Sequence, residues 1–164
     1  TCAGSIPVGP LVILAHLRRG DRAGAAKLIT RTRLRTPDHR HAAGMVAYHV
    51  IPVLMQCDAG DLATARAAME AALEDGRQCN GLRFWHIVAF ALGRIEEAGF
   101  RSQPNQRNLD EDLRLAGALR CELAGDRRQA QAAWSTWLAG RYDLHNVRWL
   151  IRDLARWRIE SLAK

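Results

Sequence analysis

The sequence predicts an all-α protein built as an array of antiparallel helix hairpins, with about eight helices. Alternating β-branched runs are almost absent, whereas apolar residues recur at steps of three and four among many Ala, Leu, Arg and Glu residues. A second observation is a repeated motif: Gly-Asp, three variable residues and Ala, beginning at Gly20, Gly60 and Gly125. The composition predicts about 0.1 chance occurrences of this motif, so we interpret the three copies as an internal repeat.

Each copy of the motif has the chemistry of a tight turn between two helices. Glycine adopts the left-handed conformation that ends a helix, and aspartate accepts hydrogen bonds from the first amides of the next helix. The alanine allows the two helices to approach closely, and a large residue one turn later fills the adjoining space. A Leu also stands six residues before each Gly. Each copy therefore predicts one helix hairpin.

The spacing of apolar residues and the positions of Gly and Pro divide the chain into helices within one domain, residues 1–164. We predict helices near 8–19, 21–35, 40–58, 61–76, 81–99, 109–124, 127–140 and 145–162. They form hairpins over 8–35, 40–76 and 109–140, an inserted helix at 81–99 and a C-terminal capping helix at 145–162. Gly76, Gly99 and Gly140 are predicted helix stops. Pro52 is expected to kink the third helix or to start a new one.

The repeated motif resembles the tetratricopeptide repeat (TPR), and the resemblance covers roughly two thirds of the chain. The second copy matches best, with Leu54, Gly60, Asp61, Ala65, Met69 and Ala72. The copies lie 40 and 65 residues apart (60−20 and 125−60), whereas the family repeats about every 34 residues. In the third copy Trp137 stands where a small residue is expected. The resemblance implies a TPR-like α-solenoid.

The resemblance also implies a groove that binds a protein or peptide partner. In the family this groove is lined by the first helix of each hairpin. The corresponding positions are Leu14, Leu17, Arg18, Val50, Leu54, Cys57, Asp58, Leu115, Leu119 and Glu122. Most of them are apolar, which favours a hydrophobic or amphipathic ligand. We therefore expect a non-catalytic interaction module that acts as an adaptor, a scaffold or a secretion- or co-chaperone-like protein.

The C-terminal helix carries a second candidate surface. Arg148, Arg152 and Arg156 step by four along one helical face, and Trp149 stands beside them. Arginine with aromatic residues is typical of a protein interface or of a platform for single-stranded nucleic acid, but a solvated face on a capping helix has the same composition. With a net charge of +7, the alternative function is a nucleic-acid-binding or regulatory sensor domain of a transcription regulator.

Catalytic and metal-binding patterns are missing from the sequence. His39 and His41 lack a nearby third ligand, and the acidic pairs at 96–97 and 110–112 are expected to cap helices in solvent. We expect no enzyme, no cofactor and no metal site. Four widely spaced cysteines indicate a reducing, cytoplasmic setting, no apolar run is long enough to cross a membrane, and the excess of Arg over Lys suggests a bacterial source. The oligomeric state stays open.

The inserted helix at 81–99 is apolar over a broader arc than one neighbour can cover. We expect it to lie on the groove side of the array, between the third helix and the helix at 109–124. If that position encloses the Trp85 ring, Trp85→Ala would destabilise the protein by about 3–5 kcal/mol.

Overall fold

The computed structural model describes residues 8–35, 44, 46–78, 82–102, 109–140 and 148–164. These residues form helices and turns, and no strand occurs among them. A π-helical turn at Val46–Val50 leads into the third α-helix. The α-helices are α1 (Val8–Arg18), α2 (Arg22–Arg35), α3 (Ile51–Asp58), α4 (Leu62–Gln78), α5 (Leu82–Ala91), α6 (Glu97–Arg101), α7 (Leu109–Ala124), α8 (Arg127–Ala139) and α9 (Arg148–Leu162).

The three Gly-Asp turns have the predicted geometry. Gly20, Gly60 and Gly125 have φ angles of +78°, +79° and +75°, in the left-handed region that favours glycine. In each turn the amide of the following Asp donates to a carbonyl five residues earlier, at 2.9 to 3.2 Å. Each Asp carboxylate accepts the amide three residues later, at 2.8 to 3.1 Å. These bonds join α1 to α2, α3 to α4 and α7 to α8 as packed hairpins.

The other motif positions form the hairpin cores. The three alanines are fully buried, and the large residues before and after them in the motif are buried too: Leu14, Ala25, Ile29, Leu54, Ala65, Met69, Leu119, Ala130 and Trp134. A buried alanine lets two helices approach closely, and the large residue one turn later fills the adjoining space. Trp137, which departs from the family pattern, is buried as well. Here α8 packs against α9 as well as α7.

The π-helical turn marks the position at which proline changes the third helix. Pro52 is the second residue of α3, which begins directly after the π-helical residues. Proline has no amide to donate to the carbonyl of Tyr48, so one hydrogen bond of a regular α-helix is missing at this point. The sequence predicts that Pro52 either kinks the helix or starts a new one, and the structure shows a change from π-helical to α-helical geometry between Val50 and Ile51. Of the predicted helix at 40–58, residues 40–43 and 45 lie outside the described residues.

The predicted helix at 81–99 is wrong in its extent, because the chain turns at Gly93. Gly93 has a φ of +72° and donates to Phe90 at 2.9 Å, while Arg94 donates to Ala89 at 2.8 Å. This is the closing pattern of the Gly-Asp turns without the aspartate. A second, short helix, α6, then contains Gly99. Two predicted helix stops, Gly76 and Gly99, therefore lie inside helices, in α4 and α6 respectively. Gly140 does follow the last residue of α8.

The position predicted for the inserted helix is correct on one side. α5 packs against α7, as expected, but its second main neighbour is α4 rather than the third helix. The ring centroid of Phe84 lies 6.2 Å from that of His49 in the π-helical turn. The indole of Trp85 is only half-buried and meets the His86 ring edge-on, with 4.8 Å between ring centroids. The premise of an enclosed Trp85 is therefore wrong.

The last helix joins the two ends of the array. α9 packs against α8, its neighbour in sequence, and also against α1 and α3. Arg18 at the end of α1 donates to Glu160 of α9 at 3.0 Å. One face of α9 contributes Leu150, Leu154, Ala155, Trp157 and Leu162 to the common core. The first and last described helices are thus in contact, and α9 lies against the first helices of the hairpins.

Candidate functional site

A buried ionic cluster lies where α9 meets α3 and α7. The Arg158 side chain is 0% exposed, and those of Glu122 and Asp58 are 3% and 7% exposed. Nε and Nη2 of Arg158 donate to the two carboxylate oxygens of Glu122, both at 2.8 Å. Nη1 lies 3.2 Å from Oδ1 of Asp58 as an ion-pair contact. One guanidinium from α9 therefore joins a carboxylate from each of two hairpins.

Both carboxylates have further partners. The indole Nε1 of Trp134 donates to Oε1 of Glu122 at 2.8 Å, and the hydroxyl of Ser161 donates to Oδ1 of Asp58 at 2.8 Å. Arg22, at the start of α2, forms an ion pair with Asp58 from the solvent side. The cluster therefore balances two carboxylates with two guanidinium groups. That balance offsets part of the cost of removing the charges from water.

The repeated turn explains how these charges come together. Arg18 and Asp58 stand two residues before the turn glycine of their hairpin, and Glu122 stands three before its own. All three belong to the last turn of a first helix, where the carbonyl groups carry a partial negative charge that favours a nearby cation. The C-terminal half of α9 passes these helix ends, so Arg158 binds two of them and Glu160 binds the third.

A shallow cleft opens between α1 and α9. Its volume is about 340 Å³, and it is lined by Leu11, Leu14, Ala15, Arg18, Arg19 and Asp153. Its lining is half apolar and half charged, with charges of both signs. Val12, on the same helix, is 38% exposed. Arg19 forms no ion pair with any described residue, whereas Arg18 is engaged by Glu160.

The ten predicted groove residues are not an open surface. Leu14, Leu17, Val50, Leu54, Leu115, Leu119 and Glu122 are buried, which corrects the expectation that they line an accessible groove. The apolar members lie in the common core, to which α9 also contributes. Cys57 is partly buried, only 7% of the Asp58 side chain is exposed, and Arg18 is exposed. The three charged positions, Arg18, Asp58 and Glu122, all bind α9 of the same chain.

The second candidate surface is only partly described. The side chains of Arg148 and Trp149 lie outside the described residues. Arg152 is partly buried, and Arg156 is exposed and pairs with Asp153 at 3.2 Å. Sequence reasoning missed Arg158 as an internal residue. The available signal was its position one residue after Trp157, on the edge of the apolar stripe of α9.

The expectation that the acidic run at the start of α7 lies in solvent is wrong for two of its members. Glu111 and Asp112 are buried and engaged in interactions, whereas Asp110 is exposed and pairs with Arg101 at 2.9 Å. Glu111 stands four residues before Leu115 and therefore continues the inner stripe of α7, which ends at Glu122. Within the described ranges, no three or more His, Cys, Asp or Glu residues are grouped so that they could hold a metal ion.

The thiol of Cys57 gives a test of this packing by alkylation. Burial, reinforced by Glu122 and opposed by Arg158, raises the pKa of Cys57 from 9.0 to about 11. At pH 8 the folded protein should therefore contain roughly one hundredth of the Cys57 thiolate of the unfolded chain, and iodoacetamide should react correspondingly slowly. Mass mapping of timed reactions measures this rate. Because the folded pKa is raised, the associated stability is present below pH 9 and is lost as the pH rises toward 11.

Cys121 is the internal control for this experiment. Its pKa is also raised, mainly by burial, but without the large shift of Cys57. We expect Cys121 to react faster than Cys57 in the folded protein, and both to react alike in denaturant. Equal rates for Cys57 in the folded and denatured chain would contradict the buried position.

No family model, curated protein or solved structure matches this chain. The tetratricopeptide likeness therefore depends on the repeated motif alone. No helix in the described parts of the chain is both long enough and apolar enough to cross a membrane.

Proposed function

We propose that this chain is a non-catalytic protein–protein interaction module, a TPR-like hairpin array that recognises an amphipathic helix on its inner side. The inner side is the face formed by the first helices of the hairpins, on which Arg18, Asp58 and Glu122 lie. One observation carries the proposal: Arg18, Asp58 and Glu122, the charged positions expected to contact a partner, each bind a helix, namely α9 of the same chain. The inner side therefore has the chemistry of a helix-binding surface.

The contacts of α9 fit the ligand class expected from the sequence. Its inner face combines large apolar side chains, such as Leu154 and Trp157, with the polar groups of Arg158 and Ser161. A hydrophobic or amphipathic helix could occupy the same surface in a complex. A scaffold, an adaptor or a chaperone-like protein would use such a surface to hold a partner polypeptide.

The proposal is tested by exchange of α9. A protease site introduced between Gly140 and Arg148 allows the folded chain to be cut while all of its residues are retained. We expect a fluorescent peptide of residues 148–164 to replace the cut helix and to give a saturable rise in anisotropy, because the inner side binds an amphipathic helix in trans. A scrambled peptide of the same composition is the control.

Two results would count against the interaction module. If the cut chain stays folded and no peptide exchanges over days, α9 is a fixed core element rather than an occupant of a binding surface. If the scrambled peptide binds equally well, the surface lacks recognition. The alternative, nucleic-acid binding, has less support because Arg158 is internal and Arg156 is paired with Asp153. Oligonucleotide binding that weakens steeply with salt would favour it.

A further inference from the structure

We infer that α9 occupies the surface to which the partner helix binds, and that the partner helix carries an arginine where α9 has Arg158. The inference deepens the proposed function and rests on it. The observation behind it is the convergence of two buried carboxylates, from α3 and α7, on a single guanidinium of α9. This convergence specifies which chemical group any replacement helix must supply.

The geometry at Glu122 selects arginine over lysine. Both carboxylate oxygens are engaged, one by Nε and the other by Nη2 of Arg158, at equal distances of 2.8 Å. A planar guanidinium offers two parallel N–H groups at this spacing, whereas an ammonium is a single compact charge. The third nitrogen, Nη1, faces Asp58 at 3.2 Å. A lysine at this position would leave at least one of these contacts unmade.

Displacement of α9 without such a replacement is costly. Glu122 and Asp58 are almost entirely shielded from solvent in the complex with α9. Asp58 would keep its ion pair with Arg22, whereas Glu122 would keep the hydrogen bond from the indole of Trp134 but lose its cation. A helix that covered these carboxylates with apolar groups alone would leave a charge buried without a counter-ion. An arginine in the partner restores the balance of the cluster.

The remaining contacts of α9 define the spacing around this arginine. Trp157 stands one residue before it, with the guanidinium carbon 5.0 Å from the ring centroid, and Ser161 stands three residues after it and bonds to Asp58. Leu154 and Leu150, four and eight residues before it, are buried. The partner is therefore a helix with apolar residues four and eight positions before an arginine and a small hydroxyl residue three positions after it.

The structure favours a helix from another protein over α9 of a second copy. Only seven residues separate Gly140 from Arg148, and so short a connection gives the tethered α9 an effective concentration in the millimolar range. An identical helix from a second copy gains no contact that the tethered one lacks. A different helix can gain contacts in the neighbouring cleft, where Arg19 is available to a carboxylate.

The experiment uses the cut chain and the fluorescent peptide of residues 148–164. Unlabelled competitors are the native peptide and its R158K, R158Q and R156K variants. We expect R158K to compete about tenfold less well and R158Q about a hundredfold less well, because charged hydrogen bonds are lost. R156K should compete within about twofold of the native peptide, since this exposed residue contacts only its own helix. Against a chain carrying Glu122→Gln, the preference for arginine should shrink.

The outcomes separate the inference from the function beneath it. If the native peptide exchanges but R158K and R158Q compete equally well, the arginine requirement is wrong and the interaction module stands. If the native peptide does not exchange at all, both proposals fail. If the intact chain forms dimers that exchange α9 at micromolar concentration, the occupant is a second copy, and the inference of a foreign partner is overturned.

Discussion

Replacement of Arg158 by methionine is expected to lower the free energy of unfolding by about 3–5 kcal/mol. The guanidinium is fully buried and is the shared counter-ion of Glu122 and Asp58. Methionine keeps much of the apolar volume of the side chain but leaves Glu122 as a buried carboxylate without a cation, and breaking a buried pair in this way carries a penalty of that size. Urea unfolding followed by circular dichroism measures the change.

Two further variants decide whether the lost charge pair is the cause. Arg156→Met, on the same helix but with a side chain 49% exposed, should change stability by less than about 1 kcal/mol. Adding Glu122→Gln to Arg158→Met neutralises the unpaired carboxylate and should recover part of the loss. If Arg158→Met unfolds at the same urea concentration as the parent protein, the cluster is solvated and the argument fails.

Substitution of Trp134 by alanine is expected to cost about 3–5 kcal/mol. The ring is fully buried in the hairpin formed by α7 and α8, at the large-residue position of the repeated motif. Alanine would create a large cavity there and would remove the indole donor to Glu122 at 2.8 Å. The loss should appear as a lower midpoint in urea and a melting temperature several degrees lower.

Two further variants, Trp85→Ala and Trp134→Phe, provide the comparison for this prediction. Trp85→Ala should cost clearly less than Trp134→Ala, because the Trp85 indole is only half-buried. Trp134→Phe keeps most of the apolar volume and removes the donor, so it separates the cavity from the hydrogen bond. An effect of Trp134→Ala no greater than that of Trp85→Ala would mean that the third hairpin is packed differently.

The three turns of this chain were predictable because each depends on residues that are adjacent in the sequence. Gly20, Gly60 and Gly125 must adopt a left-handed conformation for their turns, and the aspartate that follows each can cap a helix in the same turn. Neither requirement depends on distant residues. The turn at Gly93 has the same geometry, but no aspartate follows the glycine. The sequence pattern therefore predicted one continuous helix across this position.

The candidate site was less predictable, because it depends on contacts between distant parts of the chain. An apolar stripe on α9 indicates that the helix is covered, but does not indicate by which elements. Arg158 stands four residues after the buried Leu154, at the edge of the apolar stripe, but its partners Asp58 and Glu122 are 100 and 36 residues away (158−58 and 158−122), and no local pattern indicates them. For the same reason the burial of most of the positions expected to line a groove was not predicted from the sequence.

The contact between α1 and α9 also determines when the protein can complete its folding during synthesis. In an open repeat array each hairpin is stabilised by its neighbours, so folding can proceed from one end as the chain is made. Here the inner side of the first hairpin is completed by α9, through contacts such as Arg18 with Glu160. Until the ribosome has released α9, the nascent chain leaves this apolar surface uncovered, and the incomplete protein is most prone to aggregation at that stage.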